Sequence, residues 1–371
     1  MVKVCHMTSA HQPEDGRIFR KECVTLAQAG YEVYLVERGG SCDKNGVHIV
    51  GIGAVTGGRL ERMLHVSRRV YIKALELDAD IYHFHDPELL PYGLKLKRKG
   101  KKVIFDSHEK YKDLMRDKPY LPRWSMGLVA AVYGAYERYV LRRIDGLVFP
   151  CLKDGKHPFE GQCCHITTVN NVPLKEELYD RCNPSVPKYE RSVCHIGSLS
   201  HNRGITHLVK AASAAGCTAY LGGPFSPLAY QVELEALPEY GCVRYLGVLD
   251  REQVLGTLQR CQVGMATLLN VGQYNQYDNL ATKVYEYMSL GLPVVLTRSP
   301  YNEKVMERYR FGICVDPEDV EETASAIRWL LDHPEEARQM GENGRRAVAA
   351  EFSWDTEAAK LLALYEEILK D

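Results

Sequence analysis

Two carboxylates, Asp278 and Glu286, flank a lysine, Lys283, in a stretch whose residue types could bind a ligand with both hydroxyl groups and phosphates. The apolar spacing of residues 278–298 predicts a helix that ends at Gly291 and is followed by a short buried strand. Another buried strand precedes the helix, so the helix N-terminus should lie where that strand ends, and its N–H groups would attract an anion. A nucleotide sugar is such a ligand. The spacing also fits a solvated helix on which Lys283 and Glu286 form an i, i+3 pair.

The same stretch resembles the nucleotide-binding signature of the retaining glycosyltransferases of family 4. In that signature an acid and a later Glu lead into a helix that ends in Gly-x-Pro-Val-Val, which residues 291–295 reproduce. The resemblance implies that Glu286 binds the nucleotide ribose and that Asp278 contacts the donor sugar. The family usually has Glu where this chain has Asp278, whose side chain is one methylene shorter. The helix N-terminus is expected to bind the nucleotide through Asn279, Leu280, Ala281 and Thr282.

A second signature lies between Gly197 and Gly204, in a loop that joins a predicted strand to a helix. It resembles the family's Gly-Arg-Leu-Ser-x-x-Lys-Gly, with Ser198 in place of the first cation and Arg203 in place of the second. A departing nucleoside diphosphate develops negative charge, which a guanidinium stabilises. Because one cation is missing, we hypothesise that Lys283 supplies it, and we place Arg203 and Lys283 among the catalytic residues.

The first strand opens into a polar loop in which residues 15–19 reproduce Asp-x-Arg-Ile-Phe, a pattern that resembles a subgroup of the same family. We expect Asp15, Gly16 and Arg17 to border the acceptor, with Gly16 allowing close approach of the backbone. The alternative is a capped turn in which Asp15 accepts hydrogen bonds from helix N–H groups.

Polar side chains also follow two later strands of the first half. His83 and His85 project to the same face of a strand and precede Asp86. This arrangement could bind a metal, as in a metal-dependent phosphoesterase, particularly if Asp106 and His108 lie on the next strand. A third and a fourth ligand are not evident, so we predict no metal site. The resembled family is generally metal-independent and has a histidine at His108 beside the transferring sugar, which implies a catalytic role for His108 and an acceptor-side role for His85 and Asp86.

Alternating strands and helices predict an α/β fold with parallel sheets covered on both faces. The architecture expected from the resemblance is GT-B, with two Rossmann-like, doubly wound parallel-sheet domains and a cleft between them. Residues 1–171 are predicted to form an acceptor-binding domain, to which residues 355–371 return. Residues 172–354 are predicted to form the nucleotide-sugar-binding domain. A further helix is predicted over residues 152–160.

Charge is divided unevenly along a chain of 371 residues whose formal net charge is −1. Residues 1–171 hold 27 Lys and Arg against 20 Asp and Glu, and the remainder is acidic. We expect no nucleic-acid partner, but the basic half suggests attraction to an anionic membrane or to a phosphate-bearing acceptor. Basic residues at 95–102 and 110–123 precede a helix with aromatic residues, predicted over 123–143. Together they would form either a membrane-facing surface or a buried helix with a solvated rim.

Twelve cysteines are scattered without a C-x-x-C pair, which predicts free thiols in a reducing compartment rather than disulfides or a zinc site. The sequence starts directly in a predicted strand, with no signal peptide, and has no apolar run of the roughly 18 residues that span a bilayer. We therefore expect a cytoplasmic protein that is either soluble or peripherally bound to the inner face of the plasma membrane.

The reaction implied by the resemblance is retaining transfer of a sugar from a UDP- or GDP-sugar to an acceptor hydroxyl, in cell-surface polysaccharide or glycolipid assembly. The donor is a co-substrate, and no other cofactor is expected. The family cradles the base near residues 222–224, where nothing discriminates uridine from guanosine. Two alternatives stay open: a non-hydrolysing sugar-nucleotide epimerase, and a sugar-nucleotide-binding subunit without catalysis.

Overall fold

The chain forms two compact units in the computed structural model: unit 1, made of Met1–Asn171 with Asp355–Asp371, and unit 2, made of Val172–Trp354. The residues described are 1–55, 58, 61–114, 123–272 and 274–371, without the side chains of residues 114 and 123–125. Two basic residues of the predicted membrane-facing surface, Arg116 and Lys118, lie outside the described residues, as do the side chains of Arg123 and Trp124.

Unit 1 is built on a sheet of eight strands in the order β3-β4-β2-β1-β5-β6-β7-β8. Its strands are β1 (Lys3–Met7), β2 (Glu32–Glu37), β3 (Cys42–Lys44), β4 (Val47–Gly51), β5 (Ile81–Phe84), β6 (Lys102–Asp106), β7 (Gly146–Phe149) and β8 (His165–Thr168). Every pairing is parallel except that of β3 with β4. Strands β5 and β7 are buried along their whole length, which is why their sequences are mostly continuous apolar runs.

Unit 2 is built on a six-stranded parallel sheet in the order β11-β10-β9-β12-β13-β14. Its strands are β9 (Ser192–Ile196), β10 (Thr218–Gly222), β11 (Val243–Tyr245), β12 (Val263–Ala266), β13 (Val294–Thr297) and β14 (Gly312–Val315). Apolar side chains of β9, β10 and β12 pack against the flanking helices in one continuous core. The two sheets confirm the predicted class of two parallel-sheet α/β domains.

The helices cover both sheets and follow the predicted alternation with the strands. They are α1 (π-helical over Ile18–Cys23, then Val24–Gln28), α2 (π-helical over Arg62–Val66, then Ser67–Glu76), α3 (Leu90–Arg98), α4 (Tyr111–Leu114), α5 (Arg123–Leu141), α6 (Ile205–Ala214), α7 (Tyr230–Glu235), α8 (Arg251–Arg260), α9 (Thr282–Ser289), α10 (Pro300–Tyr309), α11 (Val320–Asp332), α12 (Pro334–Ala350) and α13 (Trp354–Lys370). None of the helices within the described residues is long and apolar enough to cross a membrane.

Local sequence explains where several of these helices begin and end. Helix α8 starts at a capping box in which the Asp250 carboxylate accepts a hydrogen bond from the Gln253 N–H and the Gln253 side chain accepts one from the Asp250 N–H. Helix α10 starts with the Ser299 hydroxyl as its cap and Pro300 in its first turn. Just after α9, Gly291 adopts a φ of +70°, which favours glycine and ends the helix as predicted.

Two elements differ from the sequence-based prediction. The short strand β3 was missed, although Asn45 and Gly46 have the positive φ values of 51° and 78° that suit a tight hairpin turn into β4. Residues 152–160 contain no helix and instead form turns around an antiparallel bridge between Lys153 and Lys156. A glycine at 155 with a φ of +74° favours a turn there.

Each sheet has a switch point, where neighbouring strands lead to connections on opposite sides. In unit 1 it lies between β1 and β5, and in unit 2 between β9 and β12. Ligands of open α/β sheets bind beyond the carboxyl ends of the strands at such points. The loops that follow β9 and β12 in unit 2, and β1 and β5 in unit 1, are therefore where side chains can be brought to one site.

Candidate functional site

The loop that follows β9 packs against the loop that follows β10 through backbone groups. The Gly197 N–H donates to the Gly222 carbonyl at 2.8 Å, and a parallel bridge joins Leu199 to Phe225. Gly197 and Gly223 have φ values of +133° and +130°. A Cβ on Gly223 would lie 2.0 Å from the Gly197 carbonyl oxygen. The close approach of the two loops therefore depends on glycine at this position.

Replacing Gly223 by alanine is expected to destabilise unit 2 by at least about 1–3 kcal/mol, because both the positive φ and the backbone contact disfavour a side chain. Urea denaturation followed by circular dichroism would measure the change. Gly256→Ala is the matched control: a Cβ there contacts nothing within 4 Å on helix α8, so we expect a gain of about 0.5–1 kcal/mol. If Gly223→Ala were as stable as Gly256→Ala, the close packing described for the two loops would be contradicted.

Lys283, in the first turn of α9, points into the sheet rather than to solvent. Its ammonium nitrogen lies 2.5 Å from Nε2 of His195, a buried residue of β9. The other ring nitrogen of His195 contacts the Met265 carbonyl at 3.2 Å, so Nδ1 carries the proton and Nε2 accepts from Lys283. Burial, together with the charge of Lys283, holds the pKa of His195 well below its usual range, so the imidazole is neutral.

Arg203 lies close enough to Lys283 for the two charges to repel. Burial, and then the charge of Arg203, lower the pKa of Lys283 from its usual 10.5 to about 7. The Arg203 guanidinium also lies 5.0 Å from the ring centre of Tyr274. A Cβ on Gly197 would lie 3.5 Å from the Lys283 ammonium nitrogen, so that glycine borders the cation. The structure thus brings together three predicted site residues: Gly197, Arg203 and Lys283.

Glu286, one turn further along α9, is held by a different cation from the one that its spacing suggests. Its Oε1 accepts a hydrogen bond from Arg251 at 2.7 Å, and Arg251 also contacts Glu177 at 3.0 Å. The Glu286 side chain is 16% exposed, so it can still meet a ligand. The i, i+3 partner considered from the sequence, Lys283, instead contacts His195.

The N-terminus of α9 is bordered by the remaining predicted residues. Among the described residues, no side chain caps the helix at Ala281, and Thr282 is exposed. The Leu280 N–H is not available to a phosphate, because it donates to the Tyr285 hydroxyl at 3.3 Å. The last three predicted residues lie half-buried on the loops around this helix end: Ser198, Asp278 and Asn279.

The sequence did not reveal two residues that set this geometry, His195 and Arg251. His195 lies within the apolar run of β9, where a histidine resembles a core residue, and only the placement of α9 beside that strand shows its role. Arg251 follows a helix cap, where a solvated arginine is the usual expectation. The one indication in the sequence was that His195 lies two residues before Gly197, the first residue of the predicted ligand-binding loop.

In unit 1, His108 lies beyond the end of β6 and is partly exposed. Its side chain is 18% exposed, and its Nε2 lies 3.4 Å from both Asp106 Oδ2 and His85 Nδ1. The ring of His11, on the loop after β1, lies 4.7 Å from the ring of His108. His108 thus belongs to a group of polar side chains at the carboxyl ends of three neighbouring strands, β1, β5 and β6.

The structure corrects the expected positions of His85 and Asp86, which are buried rather than open to an acceptor. Asp86 is held by the loop after β1: its Oδ2 accepts from the Ser9 N–H at 2.6 Å and from the Thr8 hydroxyl at 2.9 Å, and its Oδ1 lies 3.2 Å from His11 Nδ1. Burial acts to raise the pKa of Asp86, but His11 and these donors hold it well below its usual range. Burial lowers the pKa of His85 to about 4.

The loop that starts α1 also differs from its predicted role. The Asp15 carboxylate accepts from the N–H groups of Arg17 at 2.8 Å and Ile18 at 3.1 Å, which is the capped turn weighed as the alternative. Gly16 is exposed, and a Cβ there would contact no atom within 4 Å, so no close approach requires glycine. The Arg17 guanidinium points inward and is only 6% exposed.

Arg17 forms the centre of a buried ion pair network. Its Nε and Nη2 donate to the two oxygens of Asp106 at 2.9 and 3.2 Å, and its Nη1 donates to the Val169 carbonyl at 2.8 Å. Glu22 Oε1 lies 3.0 Å from the same Nε. Burial acts to lower the pKa of Arg17, but Asp106 and Glu22 raise it above its usual value. Arg17 therefore has a structural position rather than the acceptor-side position predicted for it.

His83 and His85 share one face of the sheet, as predicted, and two further candidate metal ligands join them. His6 pairs with His83 in the register between β1 and β5, and Glu22 of α1 lies over them. The four residues are fully buried, and one ligand atom from each lies within 4.8 Å of the others. The sequence could not reveal this group, because the order of the strands is not readable from it.

Two mainly parallel sheets define a two-domain α/β protein. Polar residues at the switch points, and a lysine close to an arginine at the start of a helix, are typical of sites that bind phosphorylated ligands. Residues 17–154 match the family described as Glycosyltransferase Family 4, and residues 203–363 match a family described as Glycosyl transferase-like. The chain therefore belongs to the family 4 glycosyltransferases of the GT-B fold, as its sequence motifs indicated.

Individual relatives resemble the chain in part or in fold. It is 35% identical over 96 residues to the MMP alpha-(1->4)-mannosyltransferase of Mycolicibacterium hassiacum, a match that covers 25% of this chain and only 23% of that relative. Sucrose-phosphate synthase from Thermosynechococcus elongatus superposes with a TM-score of 0.75 at 16% identity over 100% of both chains. HepE from Anabaena, solved with UDP and glucose, superposes with a TM-score of 0.69 at 14% identity over 99% of this chain and 100% of that one. These two likenesses concern the fold.

Proposed function

We propose that this protein is a retaining glycosyltransferase that moves a sugar from a UDP- or GDP-sugar to an acceptor hydroxyl. The observation that carries the proposal is the position of Lys283, a buried cation beside a second cation, Arg203, and in contact with a neutral imidazole rather than a carboxylate. Such a lysine is destabilised in its charged form until an anion binds. A diphosphate at the adjacent helix N-terminus would supply that anion.

The proposed reaction is displacement on one face of the sugar. The bond between the anomeric carbon and the diphosphate oxygen breaks, the acceptor oxygen bonds to the same carbon from the same side, and the acceptor proton passes to the departing phosphate oxygen. Arg203, Lys283 and the N-terminal amides of α9 would stabilise the charge on the diphosphate. No metal ion on the diphosphate and no cofactor besides the donor is required by this scheme.

Specific contacts to the donor are assigned to unit 2. We assign the ribose hydroxyls to the Glu286 carboxylate, which Arg251 holds at 2.7 Å in a fixed orientation. The donor sugar is assigned to Asp278, and the base to the loop at Gly223. HepE, which shares the fold, was solved with UDP and glucose, and this supports a nucleotide-sugar ligand.

The acceptor is assigned to unit 1, where His108 is the partly exposed member of the polar group beyond β6. We propose a sugar or lipid-linked acceptor in cell-surface polysaccharide or glycolipid assembly, reached at the cytoplasmic face of the membrane. The basic run at residues 95–102 supports a peripheral contact only in part, because Lys97 pairs with Asp145 and Lys101 with Asp78.

Thermal unfolding in the presence of UDP- and GDP-sugars tests the proposal. A donor at a hundred times its dissociation constant should stabilise the protein by about 2.7 kcal/mol. Transfer to an acceptor, with the anomeric configuration of the product read by NMR, then tests retention. Conversion of the donor without acceptor would instead indicate an epimerase, and binding without turnover would indicate a non-catalytic subunit.

Glu286→Gln is expected to weaken binding of the cognate donor about 10- to 100-fold, because a hydrogen bond to a charged group contributes about 1.5–3 kcal/mol. Calorimetric titration of the donor would measure the change. Glu252→Gln is the control. Glu252 directly follows Arg251 in the sequence, but its carboxylate pairs with Arg181 at the surface. Unchanged affinity in Glu286→Gln would remove the ribose assignment.

A further inference from the structure

Four side chains in the interior of unit 1 converge on one point on the face of the sheet covered by α1 and α13. They are His6 on β1, Glu22 on α1, His83 on β5 and His85 just beyond the end of β5. We call them the buried histidine cluster. All four are fully buried. The roles assigned above to the transfer reaction do not use this cluster.

The cluster holds polar atoms that the described residues leave without hydrogen-bond partners. Both carboxylate oxygens of Glu22 and Nε2 of His83 are buried in this state. Arg17 Nε is 3.0 Å from Glu22, but its single N–H points to Asp106 at 2.9 Å. Buried polar atoms without partners cost about 1–3 kcal/mol each, and more when charged, so a group of them is suited to bind a ligand.

Geometry and residue type point to a metal ion as that ligand. His6 Nδ1 lies 3.0 Å from His85 Nε2, and Glu22 Oε2 lies 3.9 Å from the same nitrogen. Ligand atoms in a tetrahedral zinc site are about 3.3 Å apart, as follows from Zn–N bonds of about 2.0–2.1 Å. The four ligand atoms all lie within 4.8 Å of one another, so small side-chain rotations would bring them to these separations.

Outward-facing nitrogens of the three histidines already have the partners that metal ligands require. Tyr365 Oη lies 3.2 Å from His6 Nε2 and 2.9 Å from His83 Nδ1, so it can accept from both rings. His85 Nδ1 lies 3.4 Å from Asp106 Oδ2. Each ring therefore turns one nitrogen inward and has a polar partner for the other, which is the arrangement that fixes the tautomer of a ligating histidine.

We propose that the buried histidine cluster binds one Zn²⁺ ion. Three imidazole nitrogens and one carboxylate suit zinc, and four protein ligands without solvent access make a structural site rather than a catalytic one. The ion ties β1, β5 and α1 together, with α13 attached through Tyr365. It also holds His85 with its Nδ1–H towards Asp106, beside His108. This inference replaces the sequence-based expectation that the chain has no metal ligands.

The test is metal analysis of the full-length protein after equilibration with Zn²⁺ and removal of loosely bound ions. We expect about one zinc per chain, a lower melting temperature after a strong chelator, and recovery when Zn²⁺ is returned. Replacement by Co²⁺ should give the visible absorption of a tetrahedral site. Protein that retains no zinc and shows no Co²⁺ absorption would overturn the proposal without bearing on the transferase assignment.

Variants locate the ion. Tyr365→Phe keeps the ring and removes the hydroxyl that meets two ligands, so we expect zinc affinity to fall about 10- to 100-fold. His83→Gln should remove the stoichiometric zinc. The control Cys42→Ser, at an exposed thiol, should keep it. Zinc that persists in His83→Gln, or that is lost in Cys42→Ser, would place the ion elsewhere and overturn the proposal, and the Co²⁺ spectrum of the unaltered protein gives an answer even if a variant fails to fold.

Discussion

Replacing Lys283 by methionine is expected to lower kcat for sugar transfer by about 10²–10³-fold while raising the melting temperature of the protein. The loss follows from removing one of two cations that would stabilise the departing diphosphate. The gain follows from the position of the ammonium, which is buried against a neutral His195 and repelled by Arg203. Methionine fills a similar volume without a charge.

The pH dependence of stability separates the two effects. The pKa of Lys283 is about 7 in the folded protein, against an ordinary value of 10.5. Between those values the unfolded chain binds the proton that the folded chain lacks, so the contribution of Lys283 to stability is full above pH 10.5 and is lost as pH falls towards 7. The advantage of Lys283→Met should therefore grow as pH is lowered through this window, by up to about 1.4 kcal/mol per pH unit.

Donor binding should show the opposite linkage. Because a diphosphate favours the ammonium form, binding above pH 7 should take up a proton, and donor affinity should fall as pH rises. Calorimetry in buffers of different ionisation enthalpy would measure the uptake. Lys304→Met, at an exposed lysine of α10, is the control and should change neither turnover nor proton uptake. Full turnover in Lys283→Met would show that Arg203 alone serves the diphosphate.

The fold class was predictable because its signals are local. Strands β2 and β7, for example, coincide with largely apolar runs of the sequence, Glu32–Glu37 and Gly146–Phe149. The exception is β3, which has three exposed residues and pairs with β4 across the Asn45–Gly46 turn. Short exposed strands have no hydrophobic pattern, so turn residues are the one signal that could reveal them.

The candidate site was predictable where a motif carries its residues and not where tertiary packing does. Arg203 and Lys283 are both in motifs, and the structure brings them together. His195 and His6 lie inside apolar strands, and what each of them contacts depends on which strands are neighbours. Strand order joins residues far apart in the chain, such as His6 and His83, and one sequence does not encode it in any local pattern.

The direction of a side chain at a helix start was the other unpredictable feature. Arg17 follows a capping aspartate, where a basic residue is usually solvated, yet its guanidinium enters the interior because Asp106, Glu22 and the Val169 carbonyl offer it partners there. The two carboxylates come from a strand and from the same helix, one turn on. A charged group enters a protein interior only when such partners are present.

Arg17→Met is expected to destabilise unit 1 by about 3–5 kcal/mol, because it leaves the buried carboxylate of Asp106 without its cation. Arg17 now holds the pKa of Asp106 well below its usual value, against the effect of burial. Burial and the charge of Asp106 already raise the pKa of Glu22 well above its usual value. Without Arg17, the Asp106 carboxyl would also protonate to remain buried. The deficit should therefore be largest at neutral pH and shrink as pH falls towards 4, because the unfolded variant then also protonates this carboxyl. It should shrink further below pH 3.8, where Asp106 of the unaltered protein loses its own contribution to stability.

Urea denaturation at several pH values would measure this deficit, with Arg20→Met, at an exposed position of the same helix, expected to change stability by less than about 0.5 kcal/mol. Adding Asp106→Asn to Arg17→Met should recover part of the loss, since the two residues interact directly and their effects cannot be additive. The experiment also decides between the two roles of Arg17. If Arg17→Met were as stable as Arg20→Met and raised only the KM for the acceptor, the arginine would act on the acceptor, as its sequence context suggests, and the inward ion pair would have no part in holding the fold.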